Sequence, residues 1–189
     1  IRRMHLRGIT GKDINKNSQP AVAEMGGTTV LMGFIFSVMM ALALNSYLNV
    51  FPSLNLLALL AAMLTIVLVG LLGIIDDLIG WKNGIRQYQH ALIPVFAALP
   101  LMVLPEVIGN TGVDVPLLGF INFGIFYSLI LVPLAVTGAS NATNMLAGLN
   151  GLEGGMALIN STVILIVAII LGEVEVAILM LGLIGAILA

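Results

Sequence analysis

The sequence predicts an all-α fold, a polytopic transmembrane helical bundle of about six spans. Composition is the first ground: of 189 residues, 60% are hydrophobic and 8% charged, and mean hydropathy is +1.15. A soluble domain carries about a quarter charged residues, so there is too little charge here to solvate a globule. The second ground is a series of apolar runs close to the ~20 residues a helix needs to cross hydrocarbon. The third is the placement of the basic residues, which all fall on one side once those runs are laid across a membrane.

The runs are 28–50, 54–75, 91–107, 117–136 and 156–171, with a sixth, 176–189, at the chain's end. Pro52, Pro116 and the pair Gly172-Glu173 punctuate them as turn signals. The fifth run is short, and residues 147–152 can lend it another turn. No internal repeat is present. The chain starts at Ile1 and stops inside an apolar run, so it is expected to be a single transmembrane domain incomplete at both ends.

With alternating spans, residues 1–27, 76–90 and 137–155 share one side, and 51–53, 108–116 and 172–175 the other. All 7 Lys and Arg (Arg2, Arg3, Arg7, Lys12, Lys16, Lys82, Arg86) lie on the first side. The second has no base and holds or borders Glu106, Asp114, Glu173 and Glu175. By the positive-inside rule the first side is cytoplasmic. A net charge of −2 and pI near 5.5 exclude a nucleic-acid binder, which needs a basic stripe. The absence of cysteine removes disulfides, thiolate metal sites and a cysteine nucleophile.

The same alternation gathers three polar clusters on the cytoplasmic side. The first runs from Gly11-Lys12-Asp13-Ile14-Asn15-Lys16 to Glu24-Met25-Gly26-Gly27. The second is Asp76-Asp77, followed by Lys82, Arg86 and His90. The third runs from Asn141 through Asn144, Gly148 and Asn150 to Glu153-Gly154-Gly155. Burying an ionised Asp at a helix centre costs roughly 2.5–3.5 kcal/mol, less near an end. Adjacent carboxylates also repel unless a cation, a basic partner or water offsets them. The plain alternative is a helix that simply ends at water, but acids at a helix C-terminus oppose the dipole. Asn141 and Asn144, spaced i, i+3, share a face if that segment is helical. The glycines of the third cluster leave backbone amides open to a ligand, as phosphate-cradling loops do. Their plain alternative is helix packing at Gly151-x-x-x-Gly155. The P-loop signature is missing. His5 and His90 are too scattered for zinc, so a metal here is held by carboxylate and amide oxygens, which suit Mg²⁺ or Mn²⁺.

Together these motifs resemble the polyprenyl-phosphate N-acetylhexosamine-1-phosphate transferases (glycosyltransferase family 4). The closest pattern is that of the dolichyl-phosphate GlcNAc-1-phosphate transferases. Gly11 to Lys16 with Glu24-x-x-Gly27 is similar to the family's first cytoplasmic loop, and Asp76-Asp77 to its aspartate pair. The stretch from Asn141 to Glu153 is similar to its uridine and metal loop. Ala147 and Asn150 match the dolichol-type enzymes; the peptidoglycan enzyme has Asp at both positions.

The resemblance implies transfer of N-acetylglucosamine 1-phosphate from UDP-GlcNAc to a polyprenyl (dolichyl) phosphate with release of UMP. It makes Asp76, Asp77 and Asn144 catalytic, with Asn144 the Mg²⁺ ligand. It places Ile14, Lys16, Glu24, Arg86, His90, Asn141, Gly148, Asn150 and Glu153 against substrate. His90 stands where the family has a phosphate-binding Lys, with Arg86 one turn earlier. A further metal-binding Asp and the sugar-recognition loop are expected beyond Ala189. Implied too are a homodimer and a multi-pass location, in the cell membrane of a prokaryote or the ER membrane of a eukaryote. The alternatives are a phospho-MurNAc-pentapeptide-type transferase of the same family, an ion-coupled transporter, or a non-catalytic subunit whose glycines only pack helices. Asp76-Asp77 at a helix end argues against the transporter, and the basic first loop against the subunit.

Overall fold

The computed structural model describes residues 10–12, 16–23, 26–79, 87–145 and 151–189, without the side chains of 12, 23, 76–79 and 87–91. A short antiparallel hairpin, β1 (Thr10–Lys12) and β2 (Ala21–Ala23), pairs Thr10 with Ala23. It leads into the long helices α1 (Gly26–Leu48) and α2 (Leu56–Ile79). Next come α3 (Gln87–Ala97), α4 (Leu99–Met102) and α5 (Pro105–Gly109). A second hairpin follows, β3 (Gly112–Val115) with β4 (Gly119–Asn122). A π-helical turn (Tyr127–Leu131) then runs into α6 (Val132–Met145), followed by α7 (Leu152–Leu171) and α8 (Val174–Leu188). The described residues are thus mostly helical, with two small hairpins among them that the all-α expectation did not include.

Among the described residues three helices, α1, α2 and α7, are long and apolar enough to cross a membrane, and α8 is a shorter apolar helix. Their ends lie within a few residues of the apolar runs. The turn from α1 to α2 is built by Asn45, whose Oδ1 accepts the Phe51 N–H at 2.7 Å, and by Asn49 in the left-handed region (φ 50°). Asn tolerates that backbone better than other side chains.

Two expected spans are reshaped. Residues 91–107 form three short pieces, because Pro94 lies inside α3 while Pro100 and Pro105 each open a new helix. Proline has no N–H to give and crowds the preceding turn, so each one resets the helix. Residues 117–136 begin as hairpin. Helix is established only at Phe126–Tyr127, and Pro133 then removes the bond Leu129 would accept. Around it the Val132 N–H reaches back to the Tyr127 carbonyl, which gives the wider π turn. The helix continues to Met145, so the polar stretch expected as a loop from 137 is helical for two more turns.

The packed centre joins α1, α2 and α8 through Phe34, Val38, Leu59, Ile178 and Leu179. Outside it, Met32, Phe36, Ile169 and Ile170 are 64–75% exposed. Water would penalise such a surface, whereas lipid hydrocarbon would not. Close approach of α1 and α8 depends on Gly182: a Cβ there would stand 3.4 Å from Ser37 Cβ and 3.5 Å from a Val38 methyl. Gly182→Leu is expected to push the helices apart at a cost of about 1–3 kcal/mol. Gly154→Ala, where an added Cβ meets no described atom within 4 Å, should be neutral or slightly stabilising. Thermal unfolding of both variants in detergent checks this; equal destabilisation would contradict the packing.

Candidate active site

The antiparallel packing of α1 against its neighbours decides which loops meet. Gly70 of α2 abuts Leu31, and Ala186 of α8 abuts Gly33, both near the start of α1. The start of α1 therefore lies with the ends of α2 and α8, and α7, joined to α8 by the Gly172-Glu173 turn, starts there too. At the opposite end Asn55 Nδ2 donates to Glu106 Oε1 at 2.7 Å, and the Asn55 backbone N–H donates to Glu175 Oε1. The expected acidic side of the sequence is thus one physical end of the bundle, the one remote from Asp76.

At the near end, Asp76 and Asp77 lie in the last turns of α2, which stays helical to Ile79. Asn141 and Asn144 lie in the last two turns of α6, so their i, i+3 spacing does place them on one helical face. Asn141 is half-buried and donates Nδ2 to the Thr137 carbonyl at 2.8 Å, a bond that does not use its Oδ1. Asn144 is exposed. Glu153 is exposed in the first turn of α7, entered through Gly151 with φ 81°, a conformation that favours glycine. Neither Gly151, Gly154 nor Gly155 meets a described atom where a Cβ would be added. The helix-packing alternative for these glycines therefore has no support among the described residues. Lys16 is exposed in the turn of the β1–β2 hairpin, where its carbonyl accepts the Gln19 N–H at 2.9 Å. His90 belongs to the first turns of α3. Ile14, Glu24, Arg86, Gly148 and Asn150 lie outside the described residues.

A cavity of about 300 Å³ joins the α6 end to α7 and α8, reaching from Thr143 and Glu153 down to Asn160, Ser161 and Met180. Thr143 turns its hydroxyl to the Ala139 carbonyl (2.8 Å). Asn160 and Ser161, inside the apolar run 156–171, are not among the site residues expected from sequence. The signal was there in the spacing: Glu153, Met156, Ala157, Asn160, Ser161 and Ile164 follow i, i+3, i+4, i+7, i+8, i+11, one stripe of a helix. Among the described residues no three acidic, histidine or cysteine side chains cluster to hold a metal. Among the described side chains at this end of the bundle, Asn141, Asn144 and Glu153 offer amide and carboxylate oxygens. These are hard ligands of the kind Mg²⁺ takes, too few to hold it without phosphate oxygens.

The family model described as Glycosyl transferase family 4 matches residues 59–189. The chain belongs to that family. The glycosyl transferase family 4 match takes in Asp76, Asp77, Asn144 and Glu153 and starts downstream of Lys16 and Glu24. The chain is 39% identical, over 84% of its length, to the putative UDP-N-acetylglucosamine–dolichyl-phosphate N-acetylglucosaminephosphotransferase of Saccharolobus solfataricus. It is 33% identical, again over 84% of its length, to the Schizosaccharomyces pombe protein named as that transferase. A phospho-N-acetylmuramoyl-pentapeptide-transferase of Limosilactobacillus fermentum is 33% identical over 68% of the chain. The chain spans 45%, 41% and 40% of these three proteins respectively, less than half of each.

Proposed function

We propose that the full-length protein is a multi-pass membrane transferase moving N-acetylglucosamine 1-phosphate from UDP-GlcNAc to a polyprenyl (dolichyl) phosphate. One observation carries this reading. Within a family 4 chain, the fold brings the ends of α2 and α6 and the starts of α1 and α7 to one end of the bundle. These elements carry or adjoin all three polar clusters. In the reaction an oxygen of the lipid phosphate attacks the β-phosphorus of UDP-GlcNAc, the bond to the α-phosphate oxygen breaks, and UMP leaves. Two anions must meet, so charge compensation dominates the barrier. Asp76 and Asp77 serve the acceptor phosphate, one as the group that keeps it deprotonated. Bound Mg²⁺, or Mn²⁺, supplies the positive charge over the diphosphate. Asn144 Oδ1 would hold it, together with phosphate oxygens and an Asp beyond Ala189. Lys16, Arg86 and His90 offset phosphate charge; Ile14, Glu24, Asn141, Gly148, Asn150 and Glu153 form the nucleotide side.

The GlcNAc and dolichyl specificity rests on the relatives' names, on the higher identity to the archaeal protein and on Ala147 and Asn150. In vesicles holding the full-length enzyme and polyprenyl phosphate, UDP-GlcNAc should give an organic-extractable sugar lipid. Product from UDP-MurNAc-pentapeptide instead would establish the peptidoglycan-type alternative.

About six spans remain the best account of the topology. The continuous helical stretch 127–145 is about 28 Å long at ~1.5 Å per residue, enough to cross, and α3–α4 and α8 provide the others. The active-site end then faces the cytoplasm by its basic residues. Ser18→Cys and Asn110→Cys in this cysteine-free chain test the topology. In intact cells an impermeant thiol reagent should label 110 and spare 18; the reverse pattern would overturn the assignment.

A further inference from the structure

We propose that the β3–β4 hairpin is a membrane-surface anchor, seating its apolar face and its Pro116-Leu117-Leu118 turn in the phospholipid leaflet remote from the active site. The inference rests on the reading that the helices cross a bilayer, and concerns a segment that the transfer reaction does not use. The turn closes through the Leu118 N–H donating to the Val115 carbonyl at 3.1 Å, with Pro116 at the second position and Leu117 at the third, φ 73°. A turn of that shape calls for Gly or Asn at the third position. Leucine there is strained, and both leucines of the turn stand out from the protein: Leu117 is fully exposed and Leu118 74% exposed. A backbone outlier that presents an apolar side chain is an observation in search of an occupant.

The register sorts the remaining side chains. Val113 faces Ile121 and Val115 faces Gly119 across the ladder, so one face is wholly apolar. Asp114 and Asn122 fall on the other face, where the Phe120 ring lies over Gly112, 2.7 Å from where a Cβ would stand. Among the described residues Asp114 is the hairpin's one charge, so attraction to anionic headgroups is not what recruits it.

Lipid is the occupant because the hairpin is rooted at the membrane boundary. The Phe123 and Gly124 N–H groups both donate to the Thr111 carbonyl, at 2.6 and 2.9 Å, and clamp its base. Directly after that clamp Ile125 and Phe126 are 68% and 60% exposed at the start of the next span, continuous with Leu129 and Ile130 on its outer surface. On the other side of the base, α5 carries Glu106, which is bonded to Asn55 at the remote end of the bundle. Apolar turn, apolar face and lipid-facing helix surface therefore follow one another at one level of the bilayer.

The test uses single cysteines at Leu117, Val113 and Asp114 in the full-length protein, each carrying an environment-sensitive fluorophore, in phosphatidylcholine vesicles. Emission from positions 117 and 113 is expected to shift to the blue and to lose most of its intensity to lipid spin-labelled just below the headgroup. Iodide, present on both sides, should leave it nearly unchanged, while position 114 should show the converse. Iodide quenching at 117 and 113 would overturn the proposal. Protection from both quenchers would overturn it equally, by showing that protein, from this chain or a second copy, covers the hairpin. Leu118→Cys stands in if the Leu117 variant does not fold.

Discussion

Asp76→Asn and Asp77→Asn in the full-length protein are each expected to lower transfer by about 10²-fold or more, the range for losing a positioned proton-transfer group. Expression and thermal stability should stay near those of the parent. Asp76 and Asp77 lie in the last turns of α2, where acids oppose the helix dipole and adjacent carboxylates repel, so neither of these local effects favours them in the fold. Replacing a charge by a neutral amide at this depth is the cheaper state for the fold. A loss of activity with intact folding therefore isolates the chemical role. Near-normal turnover in both variants would leave the pair as a solvated helix end.

Asn144→Ala is expected to raise the Mg²⁺ concentration needed for half-maximal rate about 10-fold or more, since even outer-sphere metal partners are worth that much. Added metal should recover part of the rate. Asn144 is exposed in the last turn of α6 and carries no charge, so it cannot hold the ion alone. Metal binding should accordingly be weak without nucleotide and much tighter with it. An unchanged Mg²⁺ titration in Asn144→Ala would mean that the amide only ties down the segment after α6.

The long helices were legible because α1, α2 and α7 are apolar over twenty or more residues and end at Asn, Pro or Gly. The breaks within the span expected at 91–107 were missed because hydropathy does not register what Pro94, Pro100 and Pro105 do to a helix. The β3–β4 hairpin was missed for a related reason. Its turn lacks the Gly or Asn at its third position that sequence rules look for, and places Leu117 there instead. That residue costs about 1–3 kcal/mol of strain. The helix through Asn141 and Asn144 was cut short because Thr137, Asn141 and Thr143 look like loop residues. They are accommodated by side-chain bonds to their own helix, Asn141 to the Thr137 carbonyl and Thr143 to the Ala139 carbonyl. Counting apolar runs also anticipated that the start of α1 and the ends of α2 and α6 lie at one end of the bundle, since an even number of runs separates them in the sequence. The stripe of Asn160 and Ser161 beneath Glu153 needed helical phase, which hydropathy averages away.

The most direct test of the proposed reaction follows the β-phosphorus. Full-length protein in vesicles with polyprenyl phosphate is given UDP-GlcNAc labelled at the β-phosphate, and lipid and aqueous phases are separated. Attack at the β-phosphorus predicts that the label moves into the lipid together with the sugar, and that UMP is the nucleotide released. Label retained in the aqueous phase as UDP, with sugar alone in the lipid, would show glycosyl transfer at carbon and contradict the account.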